Sequence, residues 1–387
     1  MNVAIIHYWW LSNRGGEAVC AALVELFPNA DLYIHVCNEE VVRQALPPTF
    51  TGKIHNTFIS RLPGAKKHYQ KYLPFMPLAL EQLDLSAYDL ILSSESGPAK
   101  GVVTRPDAVH ICYCHSPMRY VWDMYHEYLG GAGRLIRTLF PLVAHWLRVW
   151  DRLSADRVDH FIANSGFVAA RIRKFYRRDA EVIFPPVNTD EFSPTAERGD
   201  FYLCLGQLVA YKRADLAVEA FNQLGLPLVV VGEGELFERL KSLAKPNIRL
   251  MGRQPFAEIK DLLQRCRGLV FPGMEDFGIV PVEAMAAGAP VIAYGKGGAL
   301  ETVIHGKTGI LFEQQNVESL IAAVQQLENG AFSFNPAELH AHAATFDKRI
   351  FKQRITAFVE AALNGPSAPP ARPALNTARP ALSDCQA

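Results

Sequence analysis

Glu275-Asp276-Phe277-Gly278-Ile279-Val280-Pro281-Val282-Glu283, running on through Ala284-Met285-Ala286-Ala287-Gly288, decides how this chain is read. Two glutamates stand with seven residues between them, a glycine and a proline among those seven. The apolar run Gly268–Phe271 ahead of them reads as a buried strand, ended by Pro272-Gly273. Glu275 and Asp276 then fall in a loop. Gly278, without a side chain, lets a ligand come close to the backbone. Pro281 suits a first helical turn, where its missing N–H costs nothing. Val282–Ala287 continues that helix and Gly288 ends it. The unpaired N–H groups of residues 278–280 converge on one spot, and such a helix start attracts phosphate through its donors and its dipole together. Glu283 sits on the helix flank, placed to accept from hydroxyls such as those of a ribose. Glu275 faces whatever lies beyond the phosphates. Taken alone, the pair is also what a solvated helix end carries, because acidic residues favour first turns.

Outward from this segment the chain alternates strand and helix. Val3–His7, Asp31–Val36, Asp89–Ser93, Val109–Cys114, Phe161–Ala163 and Glu181–Phe184 read as strands, with helices at Gly15–Phe27 and Gly166–Tyr176. After the proline-marked stretch around Pro185-Pro186 and Ser193-Pro194 the pattern restarts. Strands are expected at Tyr202–Gly206, Leu228–Val231, Ile248–Met251, Leu269–Phe271, Val291–Ala293 and Gly309–Phe312. Helices are expected at Ala214–Leu224, Leu236–Ala244, Phe256–Arg265, Ala299–His305 and Val317–Leu327. Apolar, β-branched runs alternating with helices imply parallel sheets covered on both faces. The fold class is therefore α/β, with two doubly wound domains facing each other across a cleft. The expected divisions are 1–184, a linker 185–200, a second domain 201–347, a closing helix 348–364 and a disordered Pro/Ala-rich tail 365–387. In such sheets ligands bind at the carboxyl ends of strands.

Other residues fall at those strand ends. Arg14-Gly15-Gly16-Glu17 opens a helix after the first strand, where Gly15 and Gly16 allow close backbone approach to an anion; it is equally a tight-packing turn. Tyr211-Lys212-Arg213 follows Gly206-Gln207, and cations there neutralise a leaving diphosphate best in a water-poor cleft. His115 ends the Val109–Cys114 strand and is placed to hydrogen-bond a sugar hydroxyl, or to pack on Tyr113 and Trp122. Gly297-Gly298 with Glu301 starts another helix that is a weaker candidate for lining the same pocket. Lys66–Tyr72 with the following Leu73–Leu78, and the apolar, arginine-bearing Leu135–Arg148, fit either an anionic membrane surface or ordinary packing.

Composition removes several classes. The chain has 387 residues with 39 Lys+Arg against 39 Asp+Glu, so nothing argues for nucleic acid as the main partner. Seven scattered cysteines are not a disulfide framework, and Cys112-x-Cys114 reads as buried packing. A reducing cytosol is the expected compartment, with no signal-peptide pattern at Met1–His7 and no run of apolar residues long enough to span a bilayer. No Asp-x-Asp pair and no His/Cys group with metal spacing occurs, so no metal or cofactor is expected.

Together these residues resemble the family 4 retaining glycosyltransferases with the two-domain GT-B fold, from Val3 to about Leu363. Glu275-x7-Glu283, Gly288-Ala-Pro-Val, Gly297-Gly298, Glu301 and Gly306-Lys-Thr-Gly309, in this order, carry the resemblance. It implies that Glu275 holds hydroxyls of the transferred sugar and that amides from Phe277, Gly278, Ile279 and Val280 hold a diphosphate. It further implies that Glu283 binds the nucleotide ribose, Lys212 neutralises the leaving phosphate and Gly16 sits against phosphate and acceptor. His115 would lie near the reacting carbon and the backbone at Gly252-Arg253 would meet the base. Where most relatives carry an arginine this chain has Gln207, and Arg213 is the expected compensation. The Cys114–Asp123 and Tyr211–Phe221 stretches are similar to bacterial mannosyltransferases of polysaccharide assembly. That similarity implies GDP-mannose as donor, a glycan or lipid-linked glycan as acceptor, and a cytoplasmic protein in peripheral contact with the inner membrane. A nucleotide-sugar epimerase or hydrolase, and a non-catalytic donor-binding subunit, are the alternatives on the same fold.

Overall fold

The computed structural model describes residues 1–130 and 133–365; the tail expected from residue 365 lies, from 366 onward, outside the described residues. The first seven strands are β1 (Val3–Trp10), β2 (Asp31–Cys37), β3 (Ile54–Asn56), β4 (Leu90–Glu95), β5 (Val109–Cys114), β6 (His160–Ala163) and β7 (Ala180–Val182). They form one sheet in the order β3-β2-β1-β4-β5-β6-β7, every pair parallel. The second sheet holds β8 (Tyr202–Leu205), β9 (Leu228–Val231), β10 (Ile248–Gly252), β11 (Gly268–Phe271), β12 (Val291–Tyr294) and β13 (Gly309–Phe312). Its order is β10-β9-β8-β11-β12-β13, again parallel throughout. The near-continuous apolar runs of β11 and β12 are buried along their whole length, as strands covered on both faces must be.

In both sheets the strand order reverses beside the first strand, between β1 and β4 and between β8 and β11. A crevice opens at such a reversal because the connections leave toward opposite faces. Both crevices face the cleft between the sheets, which fixes where the site lies.

Several elements differ from the sequence reading. The helix expected over Ala299–His305 stops at Thr302. Val303 turns extended, and the Thr308 hydroxyl accepts from the Ile304 N–H at 2.8 Å, a side-chain bond that displaces the helical one. The strand expected to end at Phe184 ends at Val182. β3 was not legible because His55 and Asn56 leave one apolar residue in it; pairing with β2 alone defines it. The Pro336–Ala343 helix was also missed, although Asn335 caps it by accepting from the Ala337 N–H at 2.9 Å and Pro336 sits in its first turn.

The chain crosses between the sheets twice, at 185–200 and at 347–348. The crossings lie side by side: Lys348 donates to the Val187 carbonyl at 2.9 Å, and the Thr189 hydroxyl donates to Asp347 at 2.6 Å. After the second crossing the Lys348–Asn364 helix returns to the first sheet. Its Phe351, Ile355 and Val359 join Val19 and Leu23 in that domain's core.

Candidate functional site

A cavity of about 1270 Å3 fills the cleft. The Gly15–Leu26 helix begins on its first-domain wall and the Ile279–Ala286 helix on the opposite wall. Gly278 adopts φ +91°, a left-handed conformation suited to glycine, and precedes that second helix start. A methyl group on Gly15 would stand 2.7 Å from Ile279 Cδ1, so the missing side chain lets the two helix starts approach. Two sets of unpaired amides thus point into one volume, which is a place for a polyanion.

Lys212, Glu275, Phe277, Gly278, Ile279, Val280 and Glu283 line this cavity from the second domain, with Gly15, Gly16 and His115 from the first. Lys212 Nζ lies 2.8 Å from Glu275 Oε1. Burial opposes the charge on Lys212, but the Glu275 carboxylate and Tyr211 together overcome it and hold the ammonium above its ordinary pKa. Glu283 is pushed up to about 7, by burial first and by Glu191 second. Glu17 lies in the first turn of the Gly15–Leu26 helix and also lines the cavity. Burial pushes its carboxyl up to about 7, with Arg14 opposing.

His115 follows β5. Its Nε2 is 2.8 Å from Ser94 Oγ, which in turn is 3.1 Å from His7 Nδ1. Burial lowers the His115 pKa to about 4 and carries His7 down as well, so both rings are neutral near pH 7. His115 also packs edge-on against Tyr113 at 5.2 Å; Tyr8, not Trp122, is its other ring neighbour.

Three expected site residues sit elsewhere. Arg213 does not line the cavity; its guanidinium pairs with Asp215 at 3.1 Å, from a backbone at φ +54° that turns it away. Arg253 is exposed beyond β10, outside the cavity lining. Gln207 is exposed and likewise off the lining, but it meets a residue the sequence reading had not assigned a role. With its amide oxygen turned toward the first domain, Gln207 accepts from both terminal nitrogens of Arg14 at 3.2 Å. Arg14 lines the cavity, where its charge also acts on the Glu17 carboxyl. Its position immediately before Gly15-Gly16 was the available signal; its reach across the cleft was not legible.

Gly297 and Gly298 do not line the cavity either. They support the Glu275–Phe277 loop from behind: Gly298 N–H donates to the Glu275 carbonyl at 2.9 Å. Glu301 crosses to the other domain, where its carboxylate accepts from the Gly166 and Phe167 N–H groups at 2.8 and 3.0 Å. Nearby, Ser165 Oγ donates to the Asp276 carbonyl at 2.5 Å and Arg171 pairs with Asp276 at 2.6 Å. The linker contributes too, since Pro185, Pro186, Asn188 and Glu191 line the cavity.

Comparison with known proteins agrees with this architecture. A model described as Glycosyltransferase Family 4 matches residues 13–191, and one described as Glycosyl transferases group 1 matches residues 188–343. The chain is 33% identical over 237 residues to a GDP-mannose-dependent alpha-(1-6)-phosphatidylinositol monomannoside mannosyltransferase of Mycobacterium tuberculosis, covering 51% of this chain and 61% of that protein. It is 29% identical over 187 residues to an uncharacterized glycosyltransferase of Methanocaldococcus jannaschii, covering 47% of this chain and 53% of the other. With the alpha-1,3/1,6-mannosyltransferase ALG2 of Dictyostelium discoideum it shares 26% over 292 residues, or 62% and 66% of the two chains. The chain therefore spans under two thirds of the length of the curated relatives it matches. Among solved structures, Anabaena Alr3699/HepE in complex with UDP superposes with a TM-score of 0.68 at 16% identity, over 93% of this chain and 100% of that one. With the two matched models running through both sheets, the chain belongs to the family 4 glycosyltransferases of GT-B fold.

Proposed function

We propose that the protein is a retaining glycosyltransferase that moves a hexose, mannose from GDP-mannose, onto a hydroxyl of a growing lipid-linked glycan in cell-surface polysaccharide assembly, at the cytosolic face of a membrane. One observation carries the reading: two helix starts, Lys212 and a paired Glu275 share one cleft between two doubly wound domains. The mannosyltransferase names of the relatives support the choice of donor.

In this reading the diphosphate lies on the amides of residues 278–280 and faces the Gly15-Gly16 helix start. Lys212 and Arg14 add positive charge from the two sides. Arg14 takes over the part that the sequence reading gave to Arg213, which is committed to Asp215. Glu283 accepts from the ribose hydroxyls and Glu275 from hydroxyls of the sugar. Neutral His115 orients the sugar near its reacting carbon. The bond from that carbon to the phosphate oxygen breaks, with its electron pair leaving on the diphosphate. The acceptor oxygen adds to the same face, and its proton passes to the departing phosphate oxygen. The chain's contribution is positioning and charge stabilisation, with protein cations and amides in the role a divalent ion would otherwise take.

The test is thermal-shift screening of GDP-, UDP- and ADP-sugars, followed by transfer assays with and without EDTA. A ligand that binds the folded form raises its melting temperature. GDP-mannose is expected to give the largest shift, with transfer persisting in EDTA. A clear shift from a UDP-sugar alongside none from GDP-mannose overturns the donor; rapid turnover of donor without acceptor favours an epimerase or hydrolase. Lys212→Ala and Glu275→Ala are each expected to lower turnover on the order of a hundredfold or more with the melting temperature little changed. Full activity in either refutes the site.

A further inference from the structure

The Arg134–Ala155 helix has an outer face that no described residue covers. Leu139, Leu142, Trp146, Val149 and Leu153 recur at three- and four-residue steps, and their exposures run from 45% to 72%. That spacing puts them in one stripe along one side. The opposite side is fixed in place: Ala144, Leu147 and Trp150 are buried, and Asp151 is bound to Lys100, Tyr176 and Trp122. Rolling the helix to hide the stripe would tear that buried ion pair apart. A second apolar strip adjoins it. Phe75 and Leu78 are 53% and 50% exposed beside the Met76–Glu81 helix, which is joined to the longer one where Trp150 Nε1 donates to Glu81 at 3.1 Å.

Charge around the stripe is mainly positive, and the adjoining Glu81 carboxylate is paired with Arg157 at 2.7 Å. Asp151 is the one acidic residue of the Arg134–Ala155 helix, and it is buried. From Val41 to Leu80 there is no aspartate or glutamate, while Arg61, Lys66, Lys67 and Lys71 are exposed there. An apolar stripe flanked by cations fits an interface of acyl chains beneath anionic headgroups. No described helix is long and apolar enough to cross a membrane, so the face can lie on a bilayer but not through it. The cleft cavity reaches these same elements, since Gln70, Leu73 and Phe140 are part of its lining.

We propose that this face seats the protein on an anionic lipid bilayer, with the Arg134–Ala155 helix in the plane of the interface and the mouth of the cleft opening toward the lipid. An acceptor anchored in that bilayer then enters the cavity past Phe140 and Leu73. The acceptor half of this statement rests on the glycosyltransferase reading; the docking half does not.

The test is flotation of the full chain with vesicles of phosphatidylcholine alone or mixed with phosphatidylglycerol. The wild type is expected to float with the mixed vesicles only. Leu142→Glu combined with Trp146→Glu, and separately Lys66→Glu combined with Lys67→Glu, are each expected to weaken partitioning on the order of tenfold or more with unchanged melting curves. Transfer to a soluble glycan stays at wild-type rate in both, while transfer to a vesicle-embedded acceptor falls. The proposal is overturned if the wild type stays in the aqueous phase, or if both variants float as it does. It is also overturned if sedimentation shows a dimer that Leu142→Glu dissociates, because the stripe then belongs to a second copy. Lipid binding that follows these expectations while no acceptor is glycosylated keeps the docking surface and removes the glycosyltransferase reading.

Discussion

At the scale of single residues the site is a balance of charges. Arg14 donates to Gln207 across the cleft and lines the cavity beside Lys212. If its guanidinium stabilises the leaving diphosphate, Arg14→Ala lowers turnover about ten- to a hundredfold, and adding Gln207→Arg to that variant restores most of it. Unchanged steady-state rates in Arg14→Ala would reduce the contact to packing. Glu283 gives a second prediction, with a sign. Burial and Glu191 push its carboxyl up to about 7. If Glu283 accepts from a ribose hydroxyl, as proposed, the ionised form is the one that binds, and donor affinity is expected to rise roughly tenfold between pH 6 and pH 8, as ionisation passes from about a tenth to about nine tenths. Calorimetry in two buffers is expected to register proton release, and Glu283→Gln to bind without the pH slope while Glu17→Gln keeps it. In the unliganded protein the same shift acts the other way. The fold retains a proton that the unfolded chain has lost above its ordinary carboxyl pKa, so this group's contribution to stability declines as pH rises toward and through 7. Glu275, Glu283, Lys212, Gly15, Gly16 and His115 were legible as cleft candidates because each adjoins a strand end or a helix start. Arg213 was expected in the site and Arg14 was not, because neighbours decide where each guanidinium goes: Gln207 from the facing domain for Arg14, Asp215 two residues on for Arg213.

At the scale of elements, glycines set the distances. A methyl group on Gly298 would lie 2.3 Å from the Phe277 Cα and 2.4 Å from its carbonyl oxygen, backbone atoms that cannot swing aside. Gly298→Ala therefore displaces the loop that carries Glu275. It is expected to cost about 1–3 kcal/mol in denaturant unfolding and to weaken donor binding, whereas Leu300→Ser, exposed on the same short helix, changes neither. The glycine pair was visible in the sequence, but its buttressing role was not, since nothing local distinguishes a glycine that admits a ligand from one that admits another loop. The alternation of strand and helix was read more securely. Runs such as Leu228–Val231 and Val291–Tyr294 are apolar throughout, and periodicity changes cleanly into the helices beside them. It failed where a side chain competed with the backbone, as Thr308 does at Ile304, and where pairing alone made a strand, as at β3.

At the scale of the whole molecule, the two domains are held by a latch and joined at a hinge. The latch is Glu301 on the Gly166 and Phe167 amides, with Ser165 and Arg171 on Asp276, one residue from Glu275. Bonds from amides to a carboxylate are worth about 1.5–3 kcal/mol. Glu301→Ala is expected to raise the radius of gyration seen by small-angle scattering and the donor KM about tenfold; identical scattering profiles would show that closure does not depend on this contact. The hinge is the pair of adjacent crossings at Val187 and Asp347. Because the Lys348–Asn364 helix fills the first domain's core, that domain is assembled from both ends of the described residues. Halving the protein with a single cut near Pro185 would strip Val19 and Leu23 of their cover and leave an insoluble fragment. A soluble first half requires residues 1–186 fused directly to 347–365, and the excised middle, its ends already side by side, is the piece suited to separate expression.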